Sequence, residues 1–277
     1  MKRFFLVLAI LFMAVCVANA ELVLWYQMDS ADDYNLGEDI GGSAGRLYVA
    51  NNANGTLAGG MTATSGIQYD ATEGAIYMDG AHPCRIYGME DGDALFTSRT
   101  QYTFSLDAKA DMDAVTGNGY SFYLKFSDGS KFKCDLSYKA TGAASFTSPG
   151  GGWMSSAYHI WDTDPAYADR YVDPETWNNY TFVWDADNQY IATYVNGVEM
   201  AHQASGTAIA PDATVTEYGF GDGYGWNGPG GWYKNYAVWD EALSAADIAN
   251  VYANGVPEPA TIALLGLGGL ALIRRRK

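Results

Sequence analysis

Apolar residues along the chain fall into short runs of about six, separated by Gly, Asn and Asp, and within the runs they tend to alternate with polar ones. The runs are 22–28, 102–109, 120–126, 131–138, 180–185, 190–195, 216–221 and 233–239. In Tyr180-Thr181-Phe182-Val183-Trp184-Asp185 an aromatic stands at every second position, the period of a strand with one buried face. Asp128-Gly129 and Asn196-Gly197 each join two runs, and both dipeptides accept the positive φ of a two-residue hairpin. Helical spacing appears once, over 245–253, where Ser244 and Asp247 form a capping box and Gly255 closes the segment. The Gly/Ala/Asn-rich stretch 35–66 reads as a long loop, and no internal repeat or domain-sized linker is visible. Many antiparallel strands with one short helix predict an all-β fold, a two-sheet antiparallel β-sandwich or jelly roll in which each sheet buries one apolar face.

Both ends break this pattern. Lys2 and Arg3 precede the apolar stretch Phe4 to Val17, and Ala18-Asn19-Ala20 is a small-x-small cleavage site. Residues 1–20 therefore read as a signal peptide removed by signal peptidase. At the other end Pro257-Glu258-Pro259 leads into 14 uncharged residues, Ala260 to Ile273, and then Arg274, Arg275, Arg276 and Lys277. As a helix the uncharged run spans roughly 21 Å, short of the ~30 Å hydrocarbon core. The basic cluster would stay on the cytoplasmic side, and the two prolines stop the helix from growing backwards. A tripeptide, a short hydrophobic helix and terminal arginines, in that order, resemble the PEP-CTERM sorting signal. The resemblance implies an exosortase-type processing enzyme as partner, transient contact with the inner membrane, and delivery to the cell envelope, cell surface or extracellular matrix. The expected organisation is thus 1–20 signal peptide, 21–255 β-sandwich and 256–277 sorting signal.

Charge narrows the partners. The chain carries −16 overall, and −22 over residues 21–258 once the six positive charges at the two ends are set aside. Such a surface repels nucleic acid and anionic headgroups, but it is compatible with neutral glycans and divalent cations. Two cysteines, Cys84 and Cys134, remain after processing, and in an oxidising compartment they are a candidate disulfide. Closing that loop would stabilise the fold by ~4 kcal/mol on the chain-entropy account; two buried free thiols are the alternative.

Four further stretches, in order, resemble the LamG-like jelly roll of the concanavalin A-like lectin/glucanase superfamily. They are Leu22 to Asp29 with Asn54-Gly55-Thr56-Leu57, then Ala75-Ile76-Tyr77-Met78-Asp79-Gly80, then Trp177 through Gly197, and last Val238 to Ser244 leading into the helix. This superfold carries lectins, glycosidases, adhesins and structural modules, so the resemblance predicts the topology without settling the function.

Retaining glycoside hydrolysis needs two carboxyl groups about 5 Å apart. The family's glucanase branch supplies them from Glu-x-Asp-x-x-Glu on one strand, and no such string occurs among the nine Glu of this chain. With three histidines and no evident nucleophile partner, the sequence predicts no enzyme. Calcium prefers hard oxygen ligands, which the acidic loop holding Asp162 and Asp164 offers. The resemblance adds Asp79 and Asp222 as positions like the family's ligand-bearing loops. It also marks a departure, because Lys234 stands where the family's last strand often has an acid. Solvated loop acids remain the alternative to a metal site.

Glycans are gripped by flat aromatic faces with Asp, Asn or Tyr fixing the hydroxyls. Two loops have that composition, one with Trp153 and Trp161, the other with Asp222, Tyr224 and Trp226, although long loops also use aromatics as packing anchors. Trp25, Trp177, Trp184 and Trp239 are assigned to the core. The expectation is a non-catalytic carbohydrate-binding or adhesive protein, with extracellular polysaccharide or surface glycan as ligand. A structural matrix protein working through protein contacts is the alternative, and a glycoside hydrolase the third option.

Overall fold

Alternating strands and short turns assemble into two stacked antiparallel sheets in the computed structural model. It describes residues 22–28, 48–50, 57–58, 67–79, 85–89, 96, 98, 100–114, 119–136, 143–147, 153–159, 173–203, 213–221 and 230–256. In chain order the strands are β1 (Leu22–Tyr26), β2 (Tyr48–Ala50), β3 (Leu57–Ala58), β4 (Ile67–Asp70), β5 (Ala75–Met78) and β6 (Arg85–Met89). The long central strands follow as β7 (Gln101–Ala110), β8 (Gly119–Phe126), β9 (Lys131–Leu136), β10 (Ala143–Thr147) and β11 (Trp153–His159). The last set is β12 (Asn178–Asp185), β13 (Tyr190–Val195), β14 (Val198–Gln203), β15 (Val215–Gly221) and β16 (Gly231–Trp239), before helix α1 (Ala245–Asn254).

The first sheet runs β14-β13-β12-β7-β16-β5-β4, with β1 sharing the edge of β16 that β5 leaves open. The second runs β11-β10-β9-β8-β15-β6-β2-β3. Both expected hairpins form, β8–β9 through Asp128-Gly129 and β13–β14 through Asn196-Gly197. In the latter both turn residues have positive φ, 51° and 77°, as a two-residue turn demands.

The alternation of β12 becomes the core. Tyr180, Phe182 and Trp184 point between the sheets and are fully buried with Tyr102, Phe104 and Leu106 of β7. Phe104 stacks on Phe132 of the opposite sheet at 5.1 Å, and Tyr102 stacks on Trp184 at 5.8 Å. Each such side chain contributes ~1.5–3 kcal/mol by leaving water, and offset aromatic pairs add about 1 kcal/mol.

The first sheet also has an outer face, which follows the opposite parity: Lys109, Asp107, Ser105 and Thr103 on β7; Asn179, Thr181 and Val183 on β12; Trp232, Lys234, Ala237 and Trp239 on β16. Helix α1 covers one half of it. Leu243, Ile248 and Val251 pack on Trp25, Val183, Ala192, Tyr194 and Trp239 as a second apolar cluster. The helix starts as its sequence requires: Ser244 accepts from the Asp247 backbone N–H, and the Asp247 carboxylate accepts from the Ser244 N–H. Buried Thr103 ties the incoming loop to the sheet, donating to the Glu241 carbonyl at 2.7 Å and accepting from the Leu243 N–H at 2.9 Å.

Three expectations need correction. The stretch 35–66 is not all loop, because β2 and β3 form within it and extend the second sheet to its edge. Trp153 does not sit on a loop but opens edge strand β11. Trp177 is not a core residue: it is only partly buried and belongs to neither apolar cluster. Trp25, Trp184 and Trp239 are buried as expected.

Candidate functional site: a cleft on the outer face of the first sheet

Where α1 ends, the outer face turns polar and a cleft of about 680 Å³ opens. Its floor is β7, β12 and β16; its walls are Trp177 on one side and the end of α1, Tyr252 to Val256, on the other. Local sequence builds this change. Trp177-Asn178-Asn179 begins β12 with polar side chains before the aromatic alternation takes over. On β16 the register slips between Lys234 and Ala237, and Asn235 takes φ 55° with its N–H donating to the Gln27 carbonyl. Such a bulge re-aims side chains, and here the Asn235 carboxamide reaches the outer face, 2.6 Å from Asp107 Oδ2. Gly231 allows β16 to lie this close, since a Cβ there would clash with the Lys109 carbonyl.

Asp107 is the centre of the floor. Asn235 Nδ2 donates to one oxygen, and Asn179 Nδ2 donates to the other at 2.8 Å and to Ser105 Oγ at 2.9 Å. Thr181 Oγ1 donates to Asn179 Oδ1 at 3.0 Å. Beside it Asn196 Nδ2 donates to Asn178 Oδ1 at 2.9 Å, while Asn178 Nδ2 donates to the Asp173 carbonyl. A network whose members are satisfied internally holds its geometry before any ligand arrives.

The aromatic wall is fixed with equal care. Trp177 Nε1 donates to Glu73 Oε2 at 3.0 Å, and Glu73 Oε1 pairs with Lys109 Nζ at 2.8 Å. Three residues before Glu73, Asp70 Oδ2 accepts from Trp232 Nε1 at 2.9 Å. Lys109 lies over the Trp232 ring at 4.8 Å and Lys234 over the Trp177 ring at 4.0 Å, both within cation–π range. The bond from Lys109, then that from Trp177, hold the Glu73 carboxyl below its ordinary value, and the bond from Trp232 does the same for Asp70. Burial, reinforced by the bond to Asp111, pushes the Tyr77 hydroxyl up to about 12, so it stays a donor to Asp111 Oδ2 while its ring lies against Trp232.

Chemically this is a gripping surface: a flat indole held edge-on by a carboxylate, a half-buried ammonium, and a preset lattice of amides. Of the residues singled out from sequence, Asp79 and Trp153 are not among those that line the cleft. Asp79 follows β5, partly buried, and Trp153 begins β11. Asp162, Asp164, Trp161, Asp222, Tyr224 and Trp226 lie outside the described residues, as do Cys84 and the whole tail from Pro257. Cys134 is in β9, opposite Phe122 and Phe146. Among the described residues no group of three or more His, Cys, Asp or Glu is arranged to hold a metal. Nor, among them, is any helix long and apolar enough to cross a membrane; the candidate run 260–273 is outside them. Sequence reasoning missed Trp177, Asp107, Asn179, Asn235 and Tyr252. The available signal was polar residues at the head of β12 and a Lys-Asn pair inside the aromatic β16.

The profile of the concanavalin A-like lectin/glucanases superfamily matches residues 88–249, more than half of the sequence. The chain belongs to that superfamily. Residues 255–277 match the PEP-CTERM protein-sorting motif. That motif marks the protein for export to the cell surface and implies exosortase-type processing, with Gly255 and Val256, two wall residues of the cleft, as its first positions. No curated protein sequence matches the chain. Among solved structures, domain 4 of AbnA, a GH43 extracellular arabinanase from Geobacillus stearothermophilus in complex with arabinotriose, is 20% identical. That alignment covers 84% of this chain and 98% of that one, with a TM-score of 0.61. The receptor binding domain of botulinum neurotoxin C/D mosaic serotype is 15% identical over 84% of this chain, with a TM-score of 0.55. The binding domain of botulinum neurotoxin DC in complex with rat synaptotagmin II is 11% identical over 85%, also at 0.55. The chain spans about half the length of these two toxin domains, 51% and 52%. At these identities the likeness is one of fold.

Proposed function

We propose that the protein is a non-catalytic carbohydrate-binding module of the cell surface or extracellular matrix, and that it holds glycan in the cleft beside Trp177. The observation that carries this reading is the pairing of a partly exposed, carboxylate-anchored indole with a preset Asn–Asp–Asn floor. An indole face takes up the C–H side of a sugar ring, and the polar floor orients its hydroxyls. Few precisely placed polar groups beside an aromatic surface are the usual composition of a small-ligand site. The arabinotriose held by domain 4 of the arabinanase, a neighbour in fold, supports a sugar as the ligand class.

Two finer points belong to the same reading. Residues 1–20 are a signal peptide removed by signal peptidase, and 260–273 is a transient membrane helix that exosortase processing releases. The sequence-derived set Trp153, Trp161, Asp222, Tyr224 and Trp226 is the competing glycan site, and calcium at Asp79, Asp222, Asp162 and Asp164 would belong to that competitor. A glycan and exopolysaccharide array probed with the full chain, with calcium and with chelator, separates them. Binding lost in Trp177→Ala and kept in Trp226→Ala supports the cleft. The reverse pattern, with calcium dependence, moves the site to the loops, and silence in every condition refutes carbohydrate binding.

A further inference from the structure

The cleft has a surplus of hydrogen-bond donors. The acceptors at the centre of its floor are already engaged: both Asp107 oxygens take amide N–H groups, and Asn179 Oδ1 takes the Thr181 hydroxyl. Lys234 offers three N–H donors, yet among the described residues its ammonium makes no hydrogen bond or ion pair and only lies over the Trp177 ring, 4.0 Å from the centroid. Asp107 stands opposite it in register but is held by the two asparagines. The contrast with Lys109 is direct. Two residues further along β7 and on the same face, Lys109 is paired with Glu73 at 2.8 Å. The buried Trp25 indole N–H, on a residue that lines the same cleft, likewise has no acceptor among the described residues.

A cation that none of the described carboxylates pairs with, beside Asp107 and Glu73 that are already bonded elsewhere, fits a ligand rich in acceptors and negative in charge. We infer that the cleft selects acidic sugars: the ring of a uronate residue lies along Trp177 and its carboxylate displaces the Lys234 ammonium from the indole face to form a charge-assisted hydrogen bond. This rests on the reading of the cleft as a carbohydrate site. The chain's overall charge of −16 opposes an anionic polymer during approach. Screening over about 8 Å at physiological ionic strength leaves the contact itself to decide specificity.

The test measures affinity of the purified full chain for oligogalacturonate, its fully methyl-esterified form, dextran sulfate and dextran. Esterification removes the charge and keeps the ring, so the decisive comparison needs no variant. Wild type is expected to bind the free acid at least tenfold more tightly than the ester. Lys234→Met should erase that preference and Lys234→Arg should retain it, each checked for an unchanged unfolding transition. Equal affinity for acid and ester, or a preference that survives Lys234→Met, overturns the uronate assignment. If neutral sugars then still bind in a Trp177-dependent way, the cleft reading stands without it. Preference for dextran sulfate assigns the anion to a sulfate ester and also overturns the uronate assignment. Absence of binding to all four overturns the uronate assignment and leaves the cleft reading to be decided by the array.

Discussion

The two halves of the outer face of the first sheet are made by the same three strands and differ in what covers them. Towards one end Val183, Ala192, Ala237 and Trp239 lie under Leu243, Ile248 and Val251 of α1. Further along the same face the positions become Asn179 on β12, Asp107 on β7 and Lys234 on β16, and the helix has ended. Trp239 and Trp177 show the contrast in a single residue type. Trp239 is 3% exposed and packed among apolar side chains, whereas Trp177 is held from its N–H by a carboxylate and capped by an ammonium. One half is a stability device and the other is open to a ligand, because the helix is only ten residues long and stops before the polar rows.

Trp239→Ala should be the most damaging change, since it empties a buried site under the helix. Large-to-small replacement of a buried Trp costs ~3–5 kcal/mol, read as a lowered denaturant midpoint. Trp177→Ala should leave that midpoint nearly unmoved while weakening glycan binding by about 2 kcal/mol, the scale of a hot-spot contact. If both variants lose the same stability, the division between the halves fails.

Thr103→Val sits on the border of the covered half. It leaves the Glu241 carbonyl and Leu243 N–H without their partner, which costs ~1–3 kcal/mol and should appear first as faster hydrogen exchange in α1. Ser244→Ala removes the helix cap at about 1 kcal/mol; an unchanged exchange rate there would show that packing alone fixes the helix.

The open half should instead respond to acid. Asp70 and Glu73 titrate below their ordinary values of 3.8 and 4.5 because Trp232, Lys109 and Trp177 donate to the ionised forms. Their contribution to folding is therefore complete above pH 4.5 and is lost as the pH falls through the lowered values. Tryptophan emission from this face should hold steady down to about pH 4.5 and change below it. In Glu73→Gln the Trp177 component of that change should disappear. Both groups are solvent-accessible enough that the accompanying change in global stability should be small.

Much of the covered half could be read in advance. The period of two in β12, the two hairpin dipeptides and the Ser244–Asp247 box are local signals, and local signals place strands, turns and the helix within a residue or two. The open half could not, because it is assembled from β7, β12, β16 and the β4–β5 turn, and only sheet register brings Asp107, Asn179 and Asn235 together. Trp177 misled for a related reason. In sequence it opens a strongly apolar strand and reads as core, while its position one residue before β12 places it beyond the helix. Lys234 was visible only as a departure from the superfamily's usual acid. Its meaning depends on a bulge that depends in turn on the positive φ of Asn235. β2 and β3 escaped notice because strands of two and three residues carry too few positions to show a period.

A crystal structure of the protein with the tightest-binding oligosaccharide from the array decides whether the uncovered half of this face is a sugar site walled by Trp177 and Lys234. A sugar ring is expected against the Trp177 indole, between Asn235 and the end of α1, with Lys234 turned from the indole to the ligand. A ring seated instead against Tyr224 and Trp226, with the Lys234–Trp177 stack undisturbed, would refute the site.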